Sequence, residues 1–218
     1  GDLVIKVRAH GVNIFNQHAV IDVRYVRGQI QSALLGKLSK SFDKILTHKG
    51  EIRCDTVAVS GGWNPTVHLH AQSGGKPIYS SSCASMIPGP GFQAQISSGS
   101  CNGTFELRDC LREGLEAGVT ATKEAGFDIQ TEVDVPTVDQ YTEEPLQPIW
   151  VIPNHLQEGR GGKKFLDYQN DTTVGDLLLA VREGYTSVEH VKRYTALGFG
   201  TDQGKLGNIN GMALLAQA

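Results

Sequence analysis

Gln95-Ile-Ser-Ser-Gly-Ser-Cys-Asn-Gly103 runs straight into a long apolar-periodic segment, from about Thr104 to Ala125, which Gly126 closes. The order is short strand, glycine turn, helix. A helix fed by a strand through a tight turn is the building step of an α/β layer, so this stretch sets the expected fold class. The same layout suits a phosphate or a sugar, because the free N–H groups and dipole of a helix start favour an anion and glycines permit close approach. Glu106 precedes Arg108, the order the dipole prefers. An ordinary strand-to-helix connection has the same spacing, so the turn alone leaves both readings open.

Toward the N-terminus, Leu3, Val4 and Val7 share one helical face, and the chain thus starts on a helix with no strand before it. Gly11 to Phe15 reads as a short buried strand. His18–Val26 alternates and is rich in Val, Ile and Tyr, a strand that Gly28-Gln29 turns toward a partner at Ile30–Leu35. Asp43–Thr47 and Glu51–Cys54 flank His48-Lys49-Gly50 as a second hairpin. Asp55-Thr-Val-Ala-Val-Ser-Gly-Gly62 reads as a buried parallel strand ending in glycines. Asn64-Pro65 suits a helix start, and residues 74–90 read as loop.

Toward the C-terminus, Asp128–Glu144 carries six acidic residues with little apolar periodicity and reads as an exposed connector. Gln147–Pro153 offers one strand, and Gly159–Lys164 looks mobile. Asp171-Thr-Thr173 caps a helix to Glu183 that Gly184 ends. Ser187 caps a second helix with Val188 and Val191 inward, and a third runs from Gln203 to about Ala216. Three short helices make a marginal core. Both ends of the chain read as cut.

Composition narrows the function. The 218 residues are 39% hydrophobic and 20% charged with a net charge of −3, and the pI is near 6.2. That balance gives no footing for nucleic acid. No apolar run approaches the roughly 18 residues that cross a bilayer, so no membrane association is expected. The four cysteines, Cys54, Cys83, Cys101 and Cys110, lack CxxC spacing and suit a reduced, cytoplasmic protein. Cys101 and Cys110 have no histidine between them and read as small half-buried residues. His68 and His70, two apart, diverge on a helix and read as core or surface side chains. Glu143-Glu144 reads as a solvated face, with nothing apolar to raise a pKa.

Three stretches in fixed order carry a resemblance: Asp55-Thr-Val-Ala-Val-Ser-Gly-Gly-Trp-Asn-Pro65, the Ser98-Gly-Ser-Cys-Asn-Gly103 turn with its helix, and Val191-Lys-Arg-Tyr-Thr195 through Thr201-Asp-Gln-Gly-Lys205. Together they resemble the alpha subunit of heterotetrameric sarcosine oxidase, over essentially the whole chain. Opine oxidases and two-subunit amino-acid dehydrogenases share parts of the pattern. The family's alpha subunit is much longer, with a ferredoxin-like segment and a GxGxxG strand before this region and a folate-binding domain after it.

The resemblance implies an α/β chain that is part of a two-dinucleotide-binding-domain, disulfide-reductase-like fold with a β-meander, followed by a small all-α three-helix module. Residues 1–62 would be a remnant of the second nucleotide domain, 63–126 a return to the first, 127–164 a linker, and 165–218 the module. The alpha subunit would bind NAD, the beta subunit would carry FAD and oxidise sarcosine to glycine, and FMN between them would react with oxygen. Gamma and delta subunits and the rest of the alpha chain complete the partners. Gly99, Ser100, Gly103, Phe105 and Leu107 would line the NAD pocket, with Ser100 where related flavoproteins have an aspartate for a sugar hydroxyl. The module resembles a [2Fe–2S] ferredoxin-like domain, but its four cysteine places hold Asp167, Gln169, Asp202 and Gly207, so no cluster and no metal are expected. Gln203 and Lys205, with Lys192 and Arg193 nearby in sequence, would hold the FMN phosphate at a helix start; a helix start with solvated lysines reads equally well. By itself this stretch should neither oxidise sarcosine nor bind NAD tightly. The alternatives are a non-catalytic docking scaffold with a vestigial nucleotide site, or a subunit of a related opine or secondary amino-acid oxidase or dehydrogenase.

Overall fold

A computed structural model describes residues 2–128, 134–139, 146–153 and 162–218. In chain order the elements are α1 (Asp2–Ala9), β1 (His18–Val26), β2 (Gln29–Leu38), β3 (Ile45–Arg53), α2 (His68–Gln72), β4 (Ile78–Ser80), β5 (Ser85–Ile87), α3 (Leu107–Glu124), β6 (Phe165–Asp167), β7 (Thr172–Thr173), α4 (Val174–Arg182), α5 (Val188–Thr195) and α6 (Asn208–Gln217), with a 3₁₀ turn at Gly99–Asn102. The chain is mixed α/β, and the sheets of the described residues are all antiparallel. It divides into two compact units: Gly1–Val59 with Ile149–Ala218, and Ser60–Pro148.

In the first unit β1, β2 and β3 form the expected meander in spatial order. β2 is central and carries the buried residues Ala33, Leu35 and Leu38, as expected of a strand paired on both edges. The second hairpin is corrected. Residues 45–53 form one continuous strand, and His48-Lys49-Gly50 is a bulge in it: Leu35 pairs with Gly50 and Gly36 with His48, so Lys49 has no partner. Gly50 takes φ +128°, which is why a glycine that reads as a turn also serves a bulge. Gly11–Phe15 is not a strand. The Phe15 ring instead lies 3.9 Å beneath the Lys49 ammonium, so the bulged lysine is packed on an aromatic face.

The helical part of this unit follows the sequence more closely. Thr173 caps α4 reciprocally: its side chain accepts from the Asp176 N–H, and the Asp176 carboxylate accepts from the Thr173 N–H. Gly184 ends the helix with Tyr185 N–H on the Ala180 carbonyl and Gly184 N–H on Val181, so the last carbonyls are satisfied. Leu166, Leu177, Ala180, Val191, Leu197 and Leu214 make one core, with Trp150 and Val151 packed against it. Two features depart from the expected all-α module. β6 and β7 pair as a small ladder at its start. The third helix begins at Asn208, not Gln203, because residues 201–207 are spent in turns.

The expected parallel strand 55–62, whose residues 55–59 belong to the first unit and 60–62 to the second, is not a strand and is largely exposed, with Val59 at 86%; it has no partner strand among the described residues. Asn64 does not start a helix. Its side chain accepts from the Ser85 hydroxyl at 2.8 Å, and α2 begins at His68. The loop read at 74–90 contains the β4–β5 hairpin. Residues 95–98 and 147–153 are not strands. The long helix is present, from Leu107, and Gly126 ends it as expected. Its Leu111, Leu115 and Val119 follow i, i+4, i+8 spacing, yet no residue of α3 is buried. Half of the mobile stretch read at 159–164, residues 159–161, and the whole of Glu143-Glu144 lie outside the described residues.

Leu177 is 1% exposed at the centre of the helical core, whereas Thr173 acts only at its rim. Leu177→Ala is therefore expected to cost about 2–5 kcal/mol and Thr173→Ala about 1 kcal/mol. Urea unfolding of the two variants checks this order; equal costs would contradict it.

Candidate functional site

The turn between the 3₁₀ segment and α3 brings Gly99, Ser100, Gly103, Phe105 and Leu107 together. Gly99 and Gly103 both adopt left-handed backbone, at φ +65° and +87°. A Cβ on Gly103 would stand 2.7 Å from Ile87 Cγ2, so protein packing already explains that glycine. Ser100 is exposed, and Phe105 and Leu107 are 38% and 59% exposed, an apolar pair standing out at the helix start.

Beneath this turn lies a residue that sequence reasoning missed. Glu113, on the second turn of α3, reaches back so that Oε2 accepts the Gly99 N–H at 2.8 Å and the Asn102 amide at 3.5 Å, while Oε1 accepts the Thr104 hydroxyl. Burial alone would raise its pKa, but the hydrogen bonds from Thr104, Gly99 and Asn102 outweigh burial and hold it below the ordinary 4.5. Glu113 is therefore ionised, and the turn already contains an anion of its own chain. The signal was present: Glu113 shares a helical face with Cys110 and Ala117, small residues of the kind that let a turn come close. The Cys110 thiol donates to the Thr104 carbonyl at 3.0 Å, and burial, then the charges of Glu113 and Asp109, push its pKa up, away from a nucleophile.

The second set of expected residues, Gln203 and Lys205, belongs to the other unit. Both are exposed, and they stand in the turn before α6 rather than at its start. Here too a carboxylate takes the backbone donors: Asp202 accepts the Gly204 and Leu206 N–H groups at 3.2 and 3.3 Å. Asp167, 6% exposed, accepts from the N–H groups of Gly198, Gln169 and Asn170. Burial would raise its pKa, yet these bonds lower it. The side chain of Lys192 lies 3.9 Å from Glu189 on its own helix. A cleft of about 490 Å³ beside β1 has Trp150, Ile152, Lys164 and Tyr168 in its walls, and neither Gln203 nor Lys205 lines it. Lys164 donates to the Ile152 carbonyl at 2.5 Å, and burial lowers its pKa.

His68 and His70 diverge on α2 as expected. His70 is buried with Nδ1 2.8 Å from the Gln95 amide, and no His, Cys, Asp or Glu group among the described residues has the makings of a metal site. No helix among the described residues is long and apolar enough to cross a membrane.

Comparison with known proteins gives two kinds of likeness. Residues 161–218 match the family model described as the sarcosine oxidase A3 domain. Over 209 residues, 94% of the chain, it is 31% identical to the sarcosine oxidase subunit alpha of Corynebacterium sp. strain P-1, and covers 21% of that protein. Over 189 residues, 84% of the chain, it is 36% identical to the subunit alpha of Rhizobium meliloti strain 1021, and covers 18% of it. The chain thus spans about a fifth of the length of these relatives. Among solved structures, L-proline dehydrogenase from P. horikoshii superposes with a TM-score of 0.61 at 18% identity, over 99% of this chain and 42% of that one. At that identity the likeness speaks for the fold.

The folded pKa of Glu113 is depressed, so its contribution to stability is full above 4.5 and is lost as pH falls through the lower folded value. Glu113→Gln keeps one acceptor and loses the charge. We expect the Gly99 amide to exchange faster in this variant above pH 4.5 and to respond less to acid than in the parent. Hydrogen exchange read by NMR checks it; identical pH profiles would show that the carboxylate does not hold the turn.

Proposed function

The chain resembles the alpha subunit of sarcosine oxidase, and from that premise we propose that it is part of the alpha subunit of a sarcosine oxidase-type flavoenzyme complex, an oxidoreductase acting on a secondary amino acid with oxygen as acceptor. The observation that carries this reading is identity above 30% to three sarcosine oxidase alpha subunits along 84% to 94% of the chain. Residues 1–62 and 63–126 are then portions of two dinucleotide-binding domains, 127–164 links them to the rest, and 165–218 is a module without its cluster. The complex works in the cytoplasm with beta, gamma and delta subunits, and the rest of the alpha chain surrounds this part.

The residues present decide how nucleotides fit. At the Gly99–Thr104 turn a phosphate does not fit the backbone, since the Gly99 N–H is given to Glu113 and a second anion beside an ionised carboxylate is repelled. What remains for NAD is the outward side: the Ser100 hydroxyl for a sugar and the Phe105–Leu107 pair as apolar wall. At the 202–206 turn the backbone donors are likewise given to Asp202, so an FMN phosphate is met by side chains, the Lys205 ammonium and the Gln203 amide. Bound FMN supplies the electron transfer to oxygen. This chain's own residues contribute charge, an amide donor and a fixed turn at the subunit boundary.

One set of observations favours a second reading. Internal carboxylates at both turns are what a site would show if it had ceased to take nucleotides and remained as a docking scaffold. Retention of NAD by the complete alpha subunit separates the readings. Phe105→Ala removes apolar wall and is expected to weaken retention about tenfold, equivalent to roughly 1.4 kcal/mol. Ser100→Asp adds a charge near Glu113 and is expected to weaken it at least as much. Parent-like retention in both variants would move the NAD site elsewhere and leave this turn structural; no NAD in the parent would leave the scaffold reading standing.

A further inference from the structure

The turn that carries Gln203 and Lys205 is held from within by Asp202 and its own backbone, and also from outside. Ala196, Gly198, Gln203 and Gly204 all take left-handed backbone, with φ of +59°, +77°, +54° and +74°. Two of these are not glycine, and such positions persist only where surrounding structure over-determines them. The contacts from outside the turn come from one short stretch far back in the sequence. Asp167 Oδ2 accepts the Gly198 N–H at 2.8 Å across 31 residues. Gln169 Oε1 accepts both the N–H and the hydroxyl of Thr201, the latter at 2.9 Å, across 32 residues. The Thr172 hydroxyl donates to the Thr195 carbonyl at 2.7 Å. Asp167 is anchored in turn by the N–H groups of Gln169 and Asn170, so it presents Oδ2 in a fixed direction. At Gly207, where the turn returns to α6, a Cβ would stand 2.6 Å from the Leu166 carbonyl, so this strand–turn contact is also closed.

We infer that Asp167 and Gln169 are positioning residues: they form a polar clasp that sets the conformation of residues 196–207 and so aims Gln203 and Lys205. They stand at two of the four places where the resembled ferredoxin-like domain has cysteines, and through side-chain acceptors they tie together the two stretches that contain those places. The inference rests on the reading that Lys205 meets the FMN phosphate. Neither residue touches the flavin in this account.

The test uses the oxidase assembled from the complete alpha subunit and its partner subunits. The first readout is amide hydrogen exchange, by mass spectrometry, of the peptide covering 196–207. The second is uptake of FMN relative to riboflavin, which isolates the phosphate. Gln169→Ala is expected to speed exchange in this peptide about fivefold, with the rest of the module unchanged, and to lower the preference for FMN. Gln169→Glu keeps an acceptor for Thr201 and is expected to restore slow exchange. Asp167→Asn, which places a donor where an acceptor is needed, should speed exchange more; where it fails to fold, the Gln169 pair alone decides. Unchanged exchange in Gln169→Ala overturns the clasp. Faster exchange with an intact FMN preference, while Lys205→Ala loses that preference, overturns the positioning role and leaves the functional reading in place. An intact preference in Lys205→Ala overturns the functional reading and the positioning role with it.

Discussion

A backbone N–H turned away from water has to find an acceptor, and in the turns of this chain that acceptor is repeatedly a carboxylate. Glu113 serves the turn at Gly99, Asp167 the turn at Gly198, Asp202 the one at Gly204, and Asp176 the start of α4. Glu113, Asp167 and Asp176 are held ionised by the groups they accept from, which lower their pKa values. Much of what makes the turns usable as scaffolding depends on this exchange. It also sets what they cannot do, because donors committed to an internal anion are not available to a phosphate.

What the sequence shows of this is uneven, and the reasons are physical. β1, β2 and α4 were legible because alternation or helical spacing coincided with turn and cap residues; Thr173 and Gly184 mark the ends of α4 as local rules require. The bulge at His48-Lys49-Gly50 was misread because a glycine after polar residues signals a turn and a bulge alike, and only pairing with β2 distinguishes them. Residues 55–62 look like a buried strand because they are apolar, but burial needs a partner and none of the described residues provides one. Asn64 reads locally as a helix cap, but its side chain accepts from the Ser85 hydroxyl, 21 residues on.

The candidate site was legible as a place and not as a chemistry. Gly99, Ser100, Gly103, Phe105 and Leu107 do form one turn, since they are adjacent in sequence. Glu113 was missed because its role depends on a helix reaching back over 14 residues. Likewise, the four positions without cysteine said what the module lacks, and the clasp from Asp167 and Gln169 shows what two of those residues do instead. The apolar stripe of α3 is only half-buried and the stretch at 55–62 is unpaired among the described residues, in a chain that spans about a fifth of its relatives.

The central claim is that nucleotides at this part of the subunit are met by side chains, because carboxylates of the chain already hold the backbone donors. A crystal structure of the assembled oxidase with NAD and FMN bound tests it most directly. The account predicts Glu113 on the Gly99 N–H and Asp202 on the Gly204 N–H, with phosphate oxygens contacting neither amide. A phosphate oxygen within hydrogen-bonding distance of the Gly99 or Gly204 amide, with the carboxylate displaced, would contradict it.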